Sequence, residues 1–125
     1  MTRTLSPGIL AAKCARAMDE KQGENILVLD VRKITPVADY HVIATGNSTP
    51  HMRALVEAVE EELEKSGSRA HHIEGTTDSP WILLDLVDVI VHVFKKEARK
   101  YYDLEHLWGD AGKPSWKTRK TAKKR

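Results

Sequence analysis

An α/β sandwich around a mixed sheet is the fold class this sequence predicts, and three observations carry it. Patterns of helix and strand alternate in the order helix, strand, strand, helix, strand, strand, strand, helix. Residues 81–94 are nearly continuous in Ile, Leu and Val, as expected of central strands covered on both faces. Both long helices also mark their own starts: Ser6-Pro7 and Thr49-Pro50 each place a capping hydroxyl before a proline. Proline is harmless there because its missing N–H would have no partner in the first turn.

The first helix is predicted over residues 7–22, with Gly23 as its left-handed stop. Leu10, Cys14, Ala17 and Met18 share one face of it, which makes Cys14 a small buried side chain rather than a reactive thiol. Residues 26–31 read as a strand that ends in a charged turn at Arg32-Lys33. Residues 40–45 read as a second strand, with Tyr40, Val42 and Ala44 on one side and His41, Ile43 and Thr45 on the other. After a tight Gly46-Asn47-Ser48 connection, Met52, Leu55, Val56, Val59 and Leu63 form the apolar stripe of the second helix, which Gly67 ends. Its other side carries Glu57, Glu60, Glu61 and Glu64, a solvated acidic face. Residues 71–74 read as a short strand. Residues 81–85 and 88–94 form a pair joined by a turn at Leu86-Val87, and residues 95–102 form a short helix.

The 125 residues suit one domain with one core, read as residues 1–112 followed by a basic, disordered tail over 113–125. The tail holds seven of the chain's 20 basic residues and no acid, which leaves 13 bases against 18 acids in residues 1–112. An acidic body attracts basic protein surfaces, and a basic tail attracts polyanions such as RNA. Lys117, Arg119, Lys120, Lys123 and Lys124 are the candidate RNA contacts. No apolar run approaches the roughly 20 residues needed to span a bilayer, so no membrane partner is expected. The N-terminal segment lacks the apolar core of a secretory signal, and Asp19 and Glu20 argue against an organelle leader. With a lone cysteine, this points to the cytoplasm.

Catalytic and metal chemistry find little support. His71 and His72 are adjacent, so on a strand they point to opposite faces, while His41, His51, His92 and His106 look scattered. No metal or other cofactor is expected. The turn 45–49 sits before a helix start, a place that can hold phosphate, but it lacks the lysine and glycine pattern of a P-loop. Nucleotidyl transfer needs two carboxylates one residue apart on a strand. Asp85 and Asp88 are three apart, and Asp103 and Glu105 follow a helix. What remains is a surface: Trp81 opens a strand after a polar loop, and Tyr101, Tyr102, Leu104 and Trp108 crowd the end of the body. Trp81, Leu83, Asp85, Tyr102, Asp103 and Leu104 are the candidate partner-binding residues, with core packing as the competing role for Trp81.

Three ordered motifs extend the reading. They are Asp39-Tyr40-His41-Val42-Ile43-Ala44-Thr45-Gly46-Asn47-Ser48 with His51; Trp81-Ile82-Leu83-Leu84-Asp85 with Asp88-Val89-Ile90-Val91-His92-Val93-Phe94; and Tyr102-Asp103-Leu104-Glu105-His106-Leu107-Trp108. Together they resemble the ribosomal silencing factor (Iojap-like) family over residues 5–111. The resemblance implies a nucleotidyltransferase-like fold without the catalytic carboxylates. It also implies binding to the large ribosomal subunit through its L-fourteen protein, which blocks the small subunit from joining and lowers translation. Val87 departs from the family pattern, in which many relatives carry glycine, and the basic tail lies outside that pattern. Two other readings stand beside this one: a nucleotidyltransferase-type enzyme, and an RNA-binding module led by the tail. Whether the free protein forms a homodimer stays open.

Overall fold

In a computed structural model, the chain folds into α1 (Pro7–Glu20), β1 (Glu24–Asp30), β2 (Tyr40–Gly46), α2 (Thr49–Lys65), β3 (His72–Glu74), β4 (Trp81–Asp85), β5 (Val89–Lys95) and α3 (Lys96–Tyr102). The structure describes residues 6–76, 78–102, 109 and 111–116, and of residues 100–102 the backbone alone. The strands form one mixed sheet in the order β1-β2-β5-β4-β3. β2 and β5 are parallel and every other neighbouring pair is antiparallel. The parallel step requires the chain to cross over the sheet, and α2 lies within that crossover.

α1 and α2 cover one face of the sheet. Cys14 and Met18 from α1 and Met52, Leu55, Val59 and Leu63 from α2 pack against Val42, Ala44, Val91, Val93, Ile82 and Leu84. At α1 the expected cap is in place, with Ser6 Oγ accepting from the Ile9 N–H; at α2 the cap is Ser48, one residue before the expected Thr49, its Oγ accepting from the His51 N–H while Thr49 is already helical. Cys14 is fully buried, and burial pushes its thiol up to about 12. At the end of α1, however, the left-handed residue is Gln22 (φ 64°), not Gly23. Gly23 closes the turn one residue later through its N–H to the Met18 carbonyl, 2.9 Å away. Its requirement is space: a Cβ there would lie 3.1 Å from the Met18 oxygen and 3.2 Å from Leu55 Cδ2.

The second face is covered at one end. Leu29, Val31, Ile43, Phe94, Ala98 of α3 and Ala111 form a smaller core, with Trp81 packed against it. Buried Arg99 ties α3 down: its guanidinium donates to Thr45 Oγ1 (2.6 Å) and to the Asn25 carbonyl (2.7 Å). Asn25 lies where the β1–β2 register slips, with φ 49°.

The body continues past residue 112. The Asp30 N–H donates to the Gly112 carbonyl (2.8 Å), so the chain bridges the end of edge strand β1. Trp116 packs against the helix-side core, and its carbonyl accepts from Arg16 (2.9 Å). Residues 111–116 thus pass around the edge of the sheet from one face to the other.

Candidate docking face

Residues directly opposite each other in a ladder point to the same side of a sheet. The register β4–β5 pairs Trp81 with Phe94, Leu83 with His92 and Asp85 with Ile90, while β3 sets Glu74 beside Leu83 and His72 beside Asp85. Trp81, Leu83 and Asp85 therefore form one row on the face turned away from α1 and α2. All three are half-buried, as is Ile90, whereas Ile82 and Leu84 between them are buried. The apolar run 81–94 led us to expect cover on both faces. For β2 and for His92 and Phe94 of β5 that cover is present, but β4 stands one strand from the edge, and its row is left half open together with Ile90.

A hydrogen-bonded chain supports this row from within the sheet. The Trp81 indole N–H donates to His92 Nδ1 (3.1 Å), and His92 Nε2 lies 2.8 Å from His41 Nδ1. An indole can only donate, so His92 accepts at Nδ1 and carries its proton on Nε2, which it gives to His41. Both rings are therefore neutral. Burial pushes His92 down to about 3, aided by the neighbouring His41, and burial also lowers His41. The Trp81 ring stacks on Phe94 at a centroid distance of 5.0 Å. The histidines that looked scattered are thus partly a pair: parallel pairing sets His92 beside Ile43, two residues along β2 from His41 and on the same face. The alternation of β2 indicated which side His41 faces, but the near-continuous apolar run of β5 did not do so for His92, and the pairing itself is a long-range fact that no local pattern carries.

Among the described residues, no three His, Cys, Asp or Glu side chains are grouped to hold a metal. Asp85 lies in the open row, and its carboxylate accepts from the Val87 N–H (2.8 Å), while Asp88 is in the following turn. At the turn before α2, internal partners take the backbone donors: Asn47 N–H goes to His51 Nδ1 (3.0 Å), His51 N–H to Ser48 Oγ, and Met52 N–H to the Ser48 carbonyl. Of the other candidate partner-binding residues, Tyr102 ends α3, with only its backbone described; Asp103 and Leu104 lie outside the described residues. So do Lys117, Arg119, Lys120, Lys123 and Lys124. Arg99 and the His41–His92 pair were missed in the sequence; for the pair, a histidine inside each of two apolar strands was the available signal.

The fold and this face define a small α/β protein that offers a half-open, mixed apolar and acidic sheet surface. The family model for the ribosomal silencing factor during starvation matches residues 4–125, beyond the span of the three motifs and through the basic segment. The chain is 44% identical over 97 residues to the ribosomal silencing factor of Bacillus subtilis, covering 78% of this chain and 82% of that protein. It is 32% identical over 101 residues to chloroplastic Iojap of Zea mays, covering 81% of this chain and 44% of that longer protein. A crystal structure of a Chromobacterium violaceum protein superposes with a TM-score of 0.80 at 32% identity, covering 91% of this chain and 94% of that one. The chain belongs to the ribosomal silencing factor family.

Proposed function

We propose that the open row of β4 docks on the large ribosomal subunit through its L-fourteen protein, and that the bound chain keeps the small subunit from joining. On this reading the protein represses translation in the cytoplasm by occupancy, without turnover. The observation that carries it is the row itself: Trp81, Leu83 and Asp85 are aligned on one side of a strand, with Trp81 fixed from behind by Phe94 and His92. Rigid aromatic anchors beside carboxylates suit a basic protein partner, because the aromatic supplies contact area and the charge steers the encounter.

The test is sedimentation of purified large subunits with the protein, followed by addition of small subunits. One copy per large subunit should co-sediment and prevent joining, with no nucleotide required. Silencing of many subunits by one copy, or a need for a nucleotide, would sink the reading. The enzyme alternative makes the opposite forecast, namely binding of Mg²⁺–nucleotide by the free protein.

The basic segment adds a contact to ribosomal RNA. Truncation after Trp116 keeps the packed strap and removes Lys117, Arg119, Lys120, Lys123, Lys124 and Arg125. Binding to large subunits should weaken modestly, and its dependence on salt should become shallower, because fewer counterions are released. An unchanged salt slope would make the segment a bystander.

A further inference from the structure

We infer that Val87, at the tip of the β4–β5 turn, is an additional contact residue that inserts into an apolar spot on a basic protein surface of the large subunit. The inference rests on the docking reading above and extends that face beyond Asp85. Val87 has φ +78°, the left-handed region that a β-branched side chain avoids. The Asp88 N–H donates to the Leu86 carbonyl (3.1 Å), which makes Val87 the centre of a γ-turn of the rare, positive-φ kind.

The neighbourhood holds the turn in that state. Asp85 accepts from the Val87 N–H (2.8 Å), the Leu86 N–H donates to the Val89 carbonyl (2.9 Å), and the Asp88 carbonyl accepts from both the Asp39 and Tyr40 N–H groups. Yet the side chain itself is 57% exposed, so the strained position adds little to the core. Strain held in place around an outward-pointing apolar group is more often found where a site needs that group.

Chemistry around the tip selects the partner. Asp85 and Asp88 flank the turn, Asp39 is tied to Asp88 through its backbone N–H, and exposed Ile34 and Val37 lie on the loop that the Asp88 carbonyl ties to the turn. Cations on that loop are Arg32, already paired to Asp30 at 2.7 Å, and Lys33. An apolar tip flanked by acidic residues complements a protein pocket rimmed by Lys and Arg, and it repels phosphate.

The experiment compares wild type, Val87→Gly and Val87→Lys by thermal unfolding and by affinity for purified large subunits. Glycine accepts the positive φ, so Val87→Gly should unfold at the wild-type temperature or above it, while binding large subunits about fivefold more weakly. Val87→Lys should bind more weakly still. Tighter binding of Val87→Lys would assign RNA to this spot and overturn the inference, and a lower unfolding temperature for Val87→Gly would return the valine to a folding role. Equal affinity of wild type and Val87→Gly would remove the turn contact alone. If the wild type fails to bind large subunits, the docking reading falls and takes this contact with it.

Discussion

Trp81→Ala is expected to lose both folding stability and large-subunit binding, the largest combined effect of any single substitution proposed for this protein. Truncation removes the stack on Phe94 and the packing against the second core, and it leaves the buried His92 Nδ1 without its donor. For a half-buried tryptophan the unfolding cost is about 2–4 kcal/mol. Loss of a central aromatic anchor costs about 2–4 kcal/mol of binding as well, or roughly 30- to 1000-fold. Two companions separate the losses. Trp81→Phe keeps an aromatic ring, though a smaller one, and deletes the N–H, and should recover much of the binding with a smaller loss of stability. Leu83→Ala touches the same row without breaking the hydrogen-bonded chain, so its effect on binding should exceed its effect on folding. A Trp81→Ala protein that folds normally and still blocks subunit joining would remove Trp81 from the interface.

Acidification is expected to destabilise the fold well before its carboxylates titrate. In the unfolded chain His41 and His92 take up protons near the ordinary histidine value of 6.5, but in the native protein His92 resists protonation down to about 3, and His41 is also lowered. Below pH 6.5 the unfolded state therefore binds more protons than the native state, and stability falls as pH falls. For His92 the slope is about 1.4 kcal/mol per pH unit, which gives about 2 kcal/mol by pH 5, and His41 acts in the same direction. Above pH 7.5 both rings are neutral in both states, and the contribution is flat. Protonation would also turn His92 Nδ1 from acceptor to donor and so expel the Trp81 indole, which links acid stability to the proposed docking face. Chemical denaturation between pH 7.5 and 5 measures the slope, and His92→Gln should flatten it while lowering stability at pH 7.5. A wild-type protein equally stable at both ends of that window would contradict the neutral pair.

The sequence by itself determined the helices, the strands and the family. Helix starts were legible to within a residue because a cap is a contact over three residues: Ser6 to Ile9 as expected, and Ser48 to His51, one residue before the expected Thr49. Strand faces followed from period-two alternation, which correctly separated Tyr40, Val42 and Ala44 from His41, Ile43 and Thr45. Gly23 misled because glycine is the usual left-handed residue after a helix; here Gln22 takes that conformation, and Gly23 is held by its closeness to Met18 and Leu55.

Tertiary structure decided what the site is made of. The parallel register of β2 with β5 joins His41 to His92 across 51 positions of sequence, and the antiparallel register of β4 with β5 hands Trp81 to that pair. The place of β4 one strand from the edge left half open a row whose composition resembles a covered strand. The strap sets Gly112 beside Asp30 and Trp116 against the helix-side core, contacts that local composition does not announce. These features depend on contacts between segments far apart in the chain, where each segment's own residues fix its shape and its apolar side but not its neighbour or its register.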